Sequence, residues 1–268
     1  MWRLNVILLL AISSVPLQAS DLIVHKLNSS RQSAETSVSV LVPDMLDATV
    51  RHRVVYVLPV EANNEHRWGD SVAEFRRHDI PNRHQLICVF PTFSELPWYA
   101  DHPTDLKLQQ ESYFLNDVVP FVDQHYSTIA NRNGRLLVGF SKSGWGAWSL
   151  LLRHPDMFAK AAAFDAPMMM TAPGKYGSGP IFGTGENFAD YQVSRLLESQ
   201  RELLSSRPAR LGLLGAGNFE KEHVLMRQHM QLLEIPFWVS GTSDRQHSWN
   251  SGWVSEAVEW LAATAESN

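Results

Sequence analysis

The stretch Val138-Gly139-Phe140-Ser141-Lys142-Ser143-Gly144-Trp145-Gly146-Ala147 decides how the rest of the chain is read. The apolar residues Leu136, Leu137 and Val138 lead into a serine with small neighbours, and Leu150, Leu151 and Leu152 follow at helix-like positions. That order describes a strand, a sharp turn carrying a nucleophile, and a helix. Small residues are needed because the serine backbone is strained and its side chain must stand clear of the chain. The usual form is G-x-S-x-G. Ser143 stands at the last small position here, with Gly144 directly behind it.

Working outward, apolar runs and helical stripes alternate. Strands are expected over residues 22–27, 38–42, 53–60, 85–90, 135–140, 159–164, 210–214 and 237–240. Helices are expected over 71–78, 105–125 with a bend at Pro120, 145–153, 188–204, 223–233 and 254–263. Runs such as Val54-Val55-Tyr56-Val57-Leu58 suit strands buried on both faces. The alternation predicts an α/β fold with a mostly parallel central sheet and helices on both faces. No internal repeat or linker interrupts it, so a single domain is expected over residues 20–268. Residues 168–185 carry Met168-Met169-Met170 and several glycines. A loop of that length is expected to act as a lid, a pocket wall or an insert.

Composition narrows the function classes. The chain has 268 residues, 44% of them hydrophobic, and a formal net charge of −5, so nothing favours nucleic acid or an anionic membrane as a partner. Arg3, the apolar run from Leu4 to Ile12 and the sequence Leu17-Gln18-Ala19 read as a signal peptide over residues 1–19. The expected location is therefore secreted or periplasmic, with no stable membrane insertion once the signal is removed. Cys88 is the one cysteine and reads as a small buried hydrophobe in an apolar strand.

A nucleophilic Ser141 needs a base and a carboxylate to orient it. In a chain of this order the partners follow as serine, acid, histidine, on loops after later strands. His247 lies after the last strand and before the final helix, where the base is wanted. The acid has several candidates. Asp165 ends the strand that follows the nucleophile helix. Glu220 and Glu222 lie after the penultimate strand, where Asn218 stands at the usual acid position and could orient the histidine without charge. Asp244 reads as a turn residue. Two backbone N–H groups should stabilise the oxyanion, one from Lys142 and one from Val60 or Glu61. Trp98, Tyr99, Trp145 and Trp249 are candidates for an aromatic substrate pocket. No metal-ligand spacing is present, and Gly183-Thr184-Gly185 is too short for a nucleotide loop.

Gly139 to Ala147 resembles the elbow of the putative esterase family within the α/β-hydrolases. That family includes S-formylglutathione hydrolases, feruloyl and acetyl-xylan esterases, enterochelin esterases and mycolyltransferases. Tyr56-Val57-Leu58-Pro59, Phe90-Pro91 followed by Trp98-Tyr99, Glu111 before Val118-Val119-Pro120, and His247-Ser248-Trp249 match it as well. The resemblance covers residues 50–262 and departs at Ser143 and Asn218. It implies acyl transfer from an ester or thioester, usually to water, with no metal or organic cofactor. It leads to the expectation of an exported serine esterase acting on a small-molecule or carbohydrate ester. The alternatives are an acyltransferase passing the acyl group to a sugar, and a catalytically silent binding module.

Overall fold

A computed structural model describes residues 21–47, 49–206, 208–215, 217–240 and 244–263. The expected signal peptide lies outside the described residues. Eight strands form one sheet: β1 (Ile23–Leu27), β2 (Thr36–Leu41), β3 (Arg53–Leu58), β4 (Leu86–Pro91), β5 (Arg135–Phe140), β6 (Lys160–Phe164), β7 (Leu211–Leu214) and β8 (Phe237–Val239). Their order across the sheet is β1-β2-β4-β3-β5-β6-β7-β8. The pairs β1–β2 and β2–β4 are antiparallel, and every other pair is parallel. The expected fold class is therefore the observed one.

Strand side chains alternate between faces, so each strand feeds two cores. Val54, Tyr56 and Leu58 of β3 join one cluster, while Val55 and Val57 join the other. The first is covered by α3 (Gln110–Tyr113), α4 (Val119–His125), α5 (Lys142–Arg153), α8 (Val193–Ser199) and α10 (Glu220–Leu232). The second is covered by α1 (Ser71–Arg77), α2 (Ile80–His84) and α11 (Val254–Ala262). Burial on both faces explains why β3 to β6 carry near-continuous apolar runs.

Two expected helices differ in detail. The helix expected from residue 105 starts at Gln110, and Phe114–Val118 forms a π-helical turn just ahead of Pro120. Proline offers no N–H to the preceding turn, and a widened turn absorbs the mismatch. The helix expected over 188–204 is three pieces: α7 (Gly185–Tyr191), α8 and α9 (Arg201–Ser205). Gln192, at φ −66° and ψ 115°, has extended backbone and breaks the first joint. The long stretch after β6 contains α6 (Gly179–Phe182), whose Ile181 and Phe182 are buried in the core. It is an anchored insert.

Candidate active site

The elbow is built by close approach. β5 is buried from Leu136 onward, and the chain then turns at Ser141 with φ 53° and ψ −125° before α5 begins. A positive φ is strained for a side chain of any size except glycine. A Cβ on Gly139 would lie 2.1 Å from the Ser143 carbonyl oxygen, so the turn demands glycine there. Ser143 at the second small position uses its hydroxyl inside the turn. Its Oγ accepts from the Phe140 amide at 2.9 Å and lies 2.9 Å from the Phe140 carbonyl. Gly144 serves packing, since a Cβ there would meet Ala166 Cβ at 2.9 Å. The departure from G-x-S-x-G is thus accommodated by a hydroxyl that bonds the turn itself.

Asp165 sits one strand over. The Ser141 amide donates to Phe164 O and the Asp165 amide donates to Leu214 O, each at 2.9 Å, so both residues continue the parallel ladder past its strand ends. The Asp165 carboxylate is fully buried and has three donors. Its Oδ2 lies 2.6 Å from His247 Nδ1 and 3.1 Å from the Asn218 amide, and its Oδ1 accepts from the Phe219 amide at 2.9 Å. Burial opposes ionisation, but the bonds from His247 and these amides outweigh it and hold the carboxyl below its ordinary range.

The loop after β7 therefore holds Asp165, at the end of β6, through its backbone. Gly217, at φ 141°, allows this, because a Cβ there would lie 2.8 Å from Asp165 Oδ2. Of the alternative acids, Glu222 accepts from the Met169 amide at 2.9 Å, and Glu220 opens α10 with its side chain exposed. Asn218 contributes its amide to Asp165.

An ionised carboxylate only accepts, so His247 Nδ1 carries the proton and Nε2 is the acceptor nitrogen. The imidazole is boxed by Phe140 at 4.4 Å, Trp68 at 5.1 Å and Phe219 at 5.7 Å between ring centroids. The box is closed from the far side: the Trp249 amide donates to Trp68 O at 2.9 Å and Ser248 Oγ donates to it at 3.1 Å. Phe140 immediately precedes Ser141, so the ring packing holds the histidine beside the turn.

Lys142 opens α5, where helix geometry leaves its N–H without an intrahelical acceptor. Val60 and Glu61 are buried just beyond β3. The Glu61 carboxylate accepts from the Arg67 amide at 2.7 Å and closes this loop on itself. Burial lowers the Lys142 ammonium pKa, with Arg67 adding to the effect and Glu61 opposing it. The three charges thus share one locality.

The expected aromatic pocket needs correction. Trp98, Tyr99 and Trp145 are wholly buried, and Trp249 is buried with them. Trp98 and Trp145 meet edge to face at 5.5 Å, and Phe182 packs at 5.7 Å from Trp145. Trp249 packs on Phe140 and Trp253. Large rings between a helix and a sheet fill volume that no smaller residue can, and Trp98, Tyr99 and Trp145 do so, while Trp249 borders a cavity shared with Val60 and Glu61. Besides Phe140, the aromatic residues packed on His247 are Trp68 and Phe219, with Tyr176 edge-on to Phe219 at 5.4 Å and about half exposed. Trp68 lies in a polar loop and Phe219 directly follows Asn218, so neither carries a sequence signal of its own. Among the described residues no group of three His, Cys, Asp or Glu could hold a metal ion, and no helix is long and apolar enough to cross a membrane.

The chain is similar to known proteins in sequence and in fold. Two curated relatives from Mycobacterium tuberculosis, Esterase MT1326 and Esterase Rv1288, are each 23% identical over 152 residues, covering 53% of this chain. The match spans only 32% of the length of those relatives. Among solved structures, an S-formylglutathione hydrolase from Agrobacterium tumefaciens aligns with a TM-score of 0.73 at 19% identity, covering 91% of this chain and 95% of that one. FphF, a fluorophosphonate-binding serine hydrolase of Staphylococcus aureus, aligns at 0.71 and 15% identity, covering 92% and 100%. A ferulic acid esterase aligns at 0.69 and 20%, covering 91% and 96%. Likeness at these identities shows the shared fold. The family model described as "Putative esterase" matches residues 29–256, and on that span the chain belongs to the putative esterase family.

Proposed function

We propose that this protein is a serine esterase that cleaves a carboxylic ester through Ser141, His247 and Asp165. The observation that carries the reading is the 2.6 Å contact between His247 Nδ1 and a buried, amide-bound Asp165, at the strand end next to Ser141. In the first step Ser141 Oγ attacks the ester carbonyl carbon and His247 Nε2 takes the serine proton. The tetrahedral oxyanion is stabilised by backbone N–H groups of Lys142 and of Val60 or Glu61. Collapse breaks the bond to the alcohol, and His247 returns the proton to the leaving oxygen. Water then repeats the sequence on the acyl-serine, releasing the acid and restoring the serine. Asp165 holds the imidazole in the tautomer this requires and steadies the imidazolium that forms.

The substrate class we favour is an ester joining a small acid to a carbohydrate, supported by the similarity in fold to a protein named a ferulic acid esterase. Export is part of the same reading, supported by Arg3, the apolar run and Leu17-Gln18-Ala19. Sequencing of the mature N-terminus should begin at Ser20, and accumulation of the Met1 form in the cytosol would remove this part. The esterase itself is tested with a fluorophosphonate probe. Labelling is expected in the intact protein and not in Ser141→Ala. An unlabelled intact protein, or a labelled Ser141→Ala, overturns the mechanism. Turnover of acetylated and feruloylated sugars compared with a thioester such as S-formylglutathione then identifies the class, and a preference for the thioester overturns the carbohydrate assignment.

A further inference from the structure

His223 lies outside the proposed triad but is bonded to the bend on which Asp165 stands. Asp165 has φ 40°, a left-handed conformation that is uncommon for a residue with a side chain. The next amide, that of Ala166, donates to His223 Nε2 at 2.9 Å, and both residues are buried. A ring nitrogen that accepts from an amide carries no proton, so the imidazole is neutral with its proton on Nδ1. The Nδ1 edge rests against Gly215, where a Cβ would lie 2.1 Å from that nitrogen. No side chain fits at position 215 with the ring in place.

The main chain of His223 reaches the carboxylate by a second route. Its N–H donates to Phe219 O at 2.9 Å, and the Phe219 N–H donates to Asp165 Oδ1 at 2.9 Å. His223 is thus tied to the Asp165 backbone through its ring and to the Asp165 side chain through Phe219. The preceding residue, Glu222, accepts from the Met169 amide at 2.9 Å. Two successive residues of α10 therefore grip the segment that leaves β6. Core packing alone would be met by an apolar side chain at position 223. The imidazole adds an acceptor for an amide that the strand ladder does not take up.

We propose that His223 is the positioning residue of Asp165: its ring holds the Ala166 amide, fixes the left-handed bend and so keeps the carboxylate on His247. The inference rests on the esterase reading above, with Asp165 as its acid.

The test compares His223→Leu, which fills the volume without an acceptor, with His223→Gln, whose side-chain oxygen can still accept from Ala166. Per folded molecule, kcat of His223→Leu on a small acetyl ester should fall about 10- to 100-fold with KM nearly unchanged. That is less than the loss of about 10⁴-fold expected when the acid is removed, because the carboxylate is misaimed and still present. His223→Gln should stay within about threefold of wild type. In an Asp165→Asn background, His223→Leu should cost less than about threefold more, since it acts through that carboxylate. Gly215→Ala presses on the ring and leaves both side chains in place. It should repeat the His223→Leu pattern, and it serves where His223→Leu does not fold. The proton resonance of His247 Nδ1, far downfield while bonded to the carboxylate, should move upfield in His223→Leu and Gly215→Ala but not in His223→Gln. Wild-type kcat in the folded Leu and Ala variants, equal losses in the two backgrounds, or a Gln variant no better than Leu overturns the inference. A wild-type protein with neither turnover nor fluorophosphonate labelling would instead remove the esterase reading, and the resonance would still show whether His223 holds Asp165.

Discussion

Asp165 Oδ2 and His247 Nδ1 lie 2.6 Å apart across 82 residues of sequence. The bond spans three neighbouring strand ends: β6 supplies the carboxylate, the loop after β7 supplies its two amide donors, and the loop after β8 supplies the imidazole. A carboxylate with three donors cannot turn away from the histidine without leaving a buried donor unpaired. That constraint makes Asp165 as well fixed as a carboxylate on the β7 loop would be.

Asp165→Asn is therefore expected to lower kcat on a small ester by about 10⁴-fold, because the amide no longer enforces the histidine tautomer. The two backbone donors from Asn218 and Phe219 can still bond the side-chain oxygen, so the fold should survive. Glu222→Gln, which keeps an acceptor for the Met169 amide, and Glu220→Gln should both retain near-full kcat. Steady-state kinetics on the three variants checks this. A near-full kcat in Asp165→Asn would remove it from the proposed triad.

The sheet and the turn were legible in the sequence because their signals are local. A strand buried on both faces is written as a continuous apolar run, and the elbow needs small residues at fixed offsets from Ser141. The proposed acid was only partly legible. Asp165 is distinguished by amides 53 and 54 residues away, and a backbone donor leaves no trace in residue identity. Asn218 stands where an acid is expected, whereas its contact with Asp165 is through a main-chain N–H. The rings are hard to place from sequence for a related reason. Trp98, Tyr99 and Trp145 have the chemistry of a ligand pocket, but the same size and shape fill a core, and only burial separates the two uses.

Gly139→Ala should damage the fold as well as the turn. The added Cβ would lie 2.1 Å from Ser143 O and 2.3 Å from Ser143 C, which are backbone atoms and cannot swing aside. Overpacking of a rigid site costs about 1–3 kcal/mol and sometimes more. Tm should drop by about 2–4 °C for each kcal/mol lost in a domain of this size, as read by differential scanning calorimetry. An unchanged Tm would mean that the turn is looser than drawn.

Glu111 should matter for stability and not for chemistry. Its buried carboxylate meets Arg153 Nε at 2.9 Å and His154 Nε2 at 2.6 Å. Burial opposes its ionisation, but the His154 and Arg153 bonds prevail and hold its pKa below the ordinary value. Glu111→Ala strands these partners, and loss of one member of a buried pair costs about 3–5 kcal/mol, with the lower end expected because Arg153 is partly exposed. Chemical denaturation should show that loss, while kcat per folded molecule stays within about twofold. A matching loss of kcat would place Glu111 in the working site.

His223 should impose an acid limit on stability. Its Nε2 accepts from the Ala166 amide at 2.9 Å, so the ring is held neutral directly beneath the Asp165 bend. Burial pushes its pKa down to about 4, with Arg227 acting in the same direction and the Asp165 charge opposing. The unfolded chain binds this proton below the ordinary value of about 6.5, and the folded chain does so only near 4. Between those values the unfolded state holds more protons, so stability rises with pH and is lost as pH falls, by roughly 3 kcal/mol at most. Asp165 has the opposite charge type and a lowered pKa, so its contribution disappears only at still lower pH, as the carboxylate protonates in the fold. Denaturation midpoints at pH 7, 6, 5 and 4.5 should therefore decline for the wild-type protein. His223→Gln can still accept from Ala166 but has no titratable ring, and its midpoints should decline less over the same range. Equal slopes for the two proteins would show that the ring is not held neutral by the Ala166 amide.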